Sequence, residues 1–140
     1  MLSERATVTE DLKTPSTTGA GRRWHPAIAV TVTATSGATV VKVSGEIDAA
    51  VSGELRERLS VELDVGPEAL IAELAEVPFC DSSGLAVLLD TRTRAEESGV
   101  PFRIVTEQRA LLRPISLLHL DAVLEVHPTL ESALESLRPE

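Results

Sequence analysis

Apolar and polar positions alternate over residues 27–34 (AIAVTVTA) and again over 39–45 (TVVKVSG), and both runs are rich in β-branched side chains. Such alternation marks strands. The TSGA between them carries Gly37, so the two runs predict a β-hairpin. The period changes at 51–63, where Val51, Leu55, Leu59 and Leu63 recur every four residues with charges between them, the stripe of an amphipathic helix. Gly66-Pro67 punctuates, and 69–74 (ALIAEL) predicts a short strand. Pro78 breaks the chain ahead of FCDSSG. A second helix begins at the serines, with Leu85, Leu88 and Leu89 inward and Arg92, Arg94, Glu96 and Glu97 outward. Gly99 is placed to cap it in a left-handed turn, and Pro101 marks the stop.

The remaining pattern is a strand over 101–106, a helical stretch over 109–120, a brief strand over 122–127 and a last helix over 128–137. Pro114 predicts a kink or two short pieces in the third helix. Thr129 stands near the cap of the fourth, whose buried stripe is Leu130, Ala133, Leu134 and Leu137. The order is therefore ββαβαβαβα. Strands alternating with helices need crossovers, so the fold class is α/β: a mixed, mostly parallel β-sheet with an N-terminal β-hairpin and about four helices.

Residues 1–26 show no sustained period and are rich in Ser, Thr, Gly and charge, which predicts a flexible N-terminal tail ahead of a domain at 27–138. Trp24 is the one tail residue large enough to anchor it, should it serve as a regulatory arm. A chain of 140 residues suffices for one core and not two. No apolar run approaches bilayer length, and the first residues lack the apolar stretch of a secretory signal, so no membrane association is expected. A single cysteine, Cys80, can close no internal disulfide, in keeping with a cytoplasmic setting.

Net charge is −9, and it is uneven: residues 1–26 carry +1, leaving −10 on the rest. Such a surface repels phosphate backbones, and three aromatics (Trp24, Phe79, Phe102) offer no stacking platform, so nucleic acid is not an expected partner. Neither a P-loop nor a dinucleotide-binding glycine pattern occurs, and C-D-S-S-G replaces any G-x-S-x-G elbow. His25, His119 and His127 are scattered, with no cluster at metal-ligand spacing. No cofactor, metal or catalytic group is expected, and the chain is not expected to be an enzyme. A small hydrolase using Ser82 or Cys80 would need a base within hydrogen-bond reach.

The segment 77–89 (VPFCDSSGLAVLL) is what remains. A strand ends, a loop turns, and a helix begins, with Asp81 as N-cap and Ser82 and Ser83 in the first turn. Two readings stand on these residues alone. D-S-S-G is good helix-start chemistry and needs no further purpose. Equally, a serine hydroxyl at a helix N-terminus can accept a phosphoryl group, whose charge the free N–H groups and the helix dipole favour by roughly 0.3–1 kcal/mol.

These residues carry a family resemblance. VSGEIDAAVSGELRERL (43–59) resembles the G-E-[IL]-D opening and first helix of STAS domains of the anti-sigma factor antagonist type. VPFCDSSGLAVLL resembles their phosphorylation segment nearly letter for letter, and 100–137 resembles their closing half. The resemblance covers about 27–138 and implies a STAS-type fold. It implies that the unphosphorylated form binds an anti-sigma factor with serine kinase activity and so releases a sigma factor. It further implies that phosphorylation of Ser82 switches this binding off and that a phosphoserine phosphatase resets it. Glu46 and Asp48 match the acidic loop beside the phosphorylation site, and Asp81, Ser83 and Gly84 match the positions around the acceptor. The same fold also serves as a stand-alone interaction subunit of transporters or signalling scaffolds with no phosphoswitch. Two residues depart from the pattern: His119 stands where relatives often carry Gly, and Pro114 falls inside the third helix. Left-handed backbone is more accessible to His than to most residues, so the turn is expected to survive.

Overall fold

The computed structural model describes residues 3–10, 28–35 and 37–139. Six strands form one sheet in the order of the chain: β1 (Ser3–Glu10), β2 (Ala29–Ala34), β3 (Thr39–Ser44), β4 (Leu70–Glu76), β5 (Phe102–Val105) and β6 (Val126–His127). β1, β2 and β3 pair antiparallel, and β3 to β6 pair parallel. The crossovers are α1 (Ala49–Asp64), α2 (Ser82–Glu97) and α3 (Arg109–Leu117), the last followed by a single 3₁₀ turn at Leu120–Ala122; α4 (Leu130–Glu135) ends the described chain.

The expected element order is present from β2 onward, and β1 is the addition. Ser3–Glu10 pairs with β2, with Glu10 opposite Ala29. The sequence pattern predicts no strand within 1–26, and Ser3–Glu10 forms one. Their Thr and Val fit an edge strand, but eight residues interrupted by charge do not outweigh the composition around them. The rest of that segment, with Trp24 and His25, lies outside the described residues.

Because each parallel crossover is right-handed and moves the same way across the sheet, α1, α2 and α3 share one face. Val41, Val43, Leu70, Ala72, Leu74 and Ile104 meet them there, with Leu55, Leu59, Leu88 and Leu111 among the residues fully buried in that core. The opposite face carries a smaller core, in which α4 lays Ala133, Leu130, Leu134 and Leu137 over Val40, Ile71 and Val105.

The third crossover differs from its expected form. α3 runs through Pro114 and ends at Leu117, and the break falls at His119, whose φ of 59° is left-handed. Pro114 is the sixth of the nine residues of α3, so its missing N–H leaves the helix one hydrogen bond short in its second turn. β6 keeps two residues of the six-residue run, because the 3₁₀ turn ends in it at Ala122 and the chain is still bending through Val123 and Leu124.

Candidate functional site

β3 and β4 run parallel, and their pairing continues past the end of the sheet. Gly45 turns with a φ of 111° and donates to the Glu76 carbonyl at 3.2 Å. The Ile47 N–H then donates to the Phe79 carbonyl at 2.9 Å, and the Asp81 N–H to the Ile47 carbonyl at 3.1 Å. Ile47 and Cys80 thus form an isolated parallel bridge. The next residue on each chain is an aspartate that caps a helix. Asp48 accepts from Ala50 N–H at 2.9 Å and opens α1; Asp81 accepts from Ser83 N–H at 2.9 Å and Gly84 N–H at 3.3 Å and opens α2. Two helix N-termini are in this way set side by side at one end of the sheet.

Asp81 holds the pair together. Its carboxylate takes the Ser83 hydroxyl at 2.6 Å, and it faces the start of the neighbouring helix across the Ile47–Cys80 bridge. The Ser83 hydroxyl above all holds this carboxyl below the usual range; desolvation, next in size, opposes it, and the backbone N–H groups of Gly84, Ser83 and Ala49 add to the lowering.

The two serines have different situations. Ser83 is half-buried and its hydroxyl is bound to Asp81. Ser82 is the first residue of α2, is exposed, and its hydroxyl makes no hydrogen bond among the described residues. Glu46 is exposed in the bridged loop and Asp48 is half-buried. Gly84 is buried: a Cβ there would stand 2.5 Å from the Cys80 sulfur and 2.7 Å from Ile47 Cγ2. Gly84 therefore supports the surface from beneath and presents no side chain to a partner.

The structure gives the hydrolase reading no support. Burial, with the Asp81 charge second, pushes the Cys80 thiol up to about 11, so it stays protonated at neutral pH. His119 is exposed at the end of α3, and His127 is bound to Ser132 at 2.8 Å and Glu125 at 3.0 Å at the β6–α4 corner. Neither forms a hydrogen bond with Ser82 or Cys80 among the described residues. Among the described residues, no group of His, Cys, Asp or Glu is placed to hold a metal ion, and no helix is long and apolar enough to cross a membrane.

One residue of the site was not singled out from the sequence. Phe79 is 45% exposed in the bridged loop, two residues before the cap. Its only sequence signal is an aromatic directly after Pro78, which reads equally well as the end of a buried strand.

The STAS domain model matches residues 29–133. An anti-sigma-F factor antagonist of Mycobacterium tuberculosis, RsfB, is 34% identical over 112 residues, covering 80% of this chain and 91% of that protein. A second one, RsfA, is 39% identical over 70 residues, half of this chain and 55% of its own. Among solved structures, an anti-sigma factor antagonist from Mycobacterium paratuberculosis superposes with a TM-score of 0.76 at 34% identity, over 81% of this chain and 96% of that one. SpoIIAA in its unphosphorylated form shares the fold at a TM-score of 0.65 and 19% identity, over 78% and 96% of the two chains. The chain belongs to the STAS domain family, and its relatives there are anti-sigma factor antagonists.

Proposed function

We propose that this chain is an anti-sigma factor antagonist controlled at Ser82. In its unphosphorylated form it binds an anti-sigma factor with serine kinase activity, which then lets go of a sigma factor. The kinase esterifies Ser82: Oγ attacks the terminal phosphorus of a nucleoside triphosphate, the bond to the leaving diphosphate breaks, and the hydroxyl proton passes to a base of the kinase. A phosphoserine phosphatase reverses the step. The protein works in the cytoplasm as a binding module and not as an enzyme, and the docking unit is 27–138.

One observation carries the assignment of the acceptor. Of two adjacent hydroxyls at the start of α2, Ser82 is exposed with no bond among the described residues, whereas Ser83 is held by Asp81. The docking face is Glu46, Asp48, Asp81 and Ser83, with Gly84 beneath it. Phosphate adds about −1.5 to −2 charge at neutral pH beside these carboxylates. A hundredfold loss of affinity needs about 2.8 kcal/mol. Excluding water from one unpaired dianion costs several kcal/mol, so a single phosphate is sufficient. The α2 dipole accommodates the same charge, so the switch alters the surface and leaves the fold in place.

The test is intact-mass analysis of the protein from its own cells and after incubation with the kinase and ATP. A gain of one phosphate mapped to Ser82, absent in Ser82→Ala while that variant still binds the kinase, is the expected result. Label appearing on Ser82→Ala as on the wild type overturns the assignment. An interaction subunit without a phosphoswitch would remain unmodified under both conditions.

A further inference from the structure

α3 has two apolar faces. Leu111 and Ile115 enter the core, while Arg109, Leu112, Arg113, Ser116 and Leu117 line a shallow concavity on the outside. These five stand at helical spacings of three and four and make one continuous stripe. Leu117 is 67% exposed and Leu118 beside it 60%. Arg109 and Arg113 form no ion pair among the described residues, in a chain of net charge −9. This is a basic, apolar helix face on an acidic protein.

A surface of opposite character lies elsewhere on the same molecule. A groove of about 740 Å³ opens at the end of the sheet away from Ser82, between the β2–β3 turn, the residues preceding β4 and β5, and α4. Its floor is apolar, with Ala69, Pro101, Leu134 and Leu137. Glu68 and Glu131 stand at its rim, both exposed and neither in an ion pair among the described residues; Glu135 is paired with Arg138. Two free carboxylates around a leucine floor match two free guanidinium groups around a leucine ridge.

We propose that the outer face of α3 of one molecule docks into the α4 groove of a second copy, giving head-to-tail self-association. Symmetric pairing is disfavoured from both sides: α3 against α3 would bring four arginines together, and groove against groove would bring the free glutamates together. An anionic membrane is a poor alternative occupant for a domain of this net charge. The two faces lie at different places on the molecule, so the contact is heterologous and its chain of copies grows unless the rotation closes a ring. α3 is nine residues, about 14 Å long, so the interface is small and the association weak. Ser82 is in neither surface, so self-association does not depend on the phosphoswitch.

Sedimentation velocity of the full unphosphorylated chain, over a concentration series at low and high salt, tests this. The average mass is expected to rise with concentration past that of a dimer and to fall with added salt. Arg109→Glu with Arg113→Glu, and separately Glu68→Arg with Glu131→Arg, should each weaken association by about tenfold or more. An equimolar mixture of the two variants should restore it, because each then finds a groove or a helix of opposite charge. Leu117→Ser should weaken it without altering charge, and circular dichroism should show all variants folded. A wild type that stays monomeric throughout, a species that stops at a dimer unaffected by the groove substitutions, or a mixture that fails to recover would each overturn the proposal.

Discussion

At the scale of single residues, the site depends on one carboxylate and one missing side chain. Asp81 receives two N–H groups and a hydroxyl of its own helix. Since these bonds lower its pKa in the folded state, their stabilisation is present above the ordinary carboxylate value and is lost as pH falls through the lowered one. Urea midpoints measured from neutral to acid pH should therefore drop more steeply for the wild type than for Asp81→Asn. Asparagine caps a helix without titrating, so equal slopes would contradict this role. Gly84 is the other dependence. Gly84→Ala places a Cβ against Cys80 and Ile47, overpacking that should cost about 1–3 kcal/mol in a thermal melt. Cys80→Ala removes the closer of the two obstacles, so the double variant should be more stable than the sum of the single effects. A purely additive result would show that the close approach is not what holds residue 84 small.

Among elements, α2 and α3 show how much local sequence can say. The start of α2 was legible as D-S-S-G, because capping is a short-range interaction between adjacent residues. The end of α3 was legible only in part. Pro114 signals an interruption, yet the helix passes through it and breaks at His119. A proline inside the helix forgoes one hydrogen bond, and the burial of Leu111 and Ile115 on either side of it offsets that loss. The φ of 59° at His119 yields a prediction at this scale: His119→Gly should leave the melting temperature close to wild type, while His119→Val should cost about 1–2 kcal/mol. A β-branched residue tolerated there would mean that the turn rearranges. β6 fell short of its expected length for a related reason: the 3₁₀ turn after His119 and the bend that follows it carry the chain through Leu124 before it can pair as a strand.

On the scale of the whole molecule, the domain is acidic and its two ends differ. The bridged loops at one end carry Glu46, Asp48 and Asp81, so a basic partner should be drawn to Ser82 by long-range attraction. The association rate with the anti-sigma factor should fall steeply with salt, while the dissociation rate changes little; the reverse dependence would rule out steering. Phosphorylation should leave the melting temperature within a few degrees of the unmodified protein, because the added charge sits at a helix N-terminus. A large loss would mean that the switch acts by unfolding α2.

The sequence by itself determined the element order from β2 onward, the α/β class and the cap of α2. All of these follow from periodicity or from contacts between neighbours in the chain, which a linear string records. Only the tertiary structure decided that Ser3–Glu10 joins the sheet, that the Ile47–Cys80 bridge sets Asp48 and Asp81 side by side, and that Ser83 is engaged while Ser82 has no hydroxyl bond among the described residues. The same holds for Gly84 beneath the surface and for Phe79 and the α3 leucines on it. Each is a matter of which apolar or polar group finds a partner from a distant segment. A hydrophobic residue carries the same letter whether a helix covers it or water does, and only the packed chain tells the two apart.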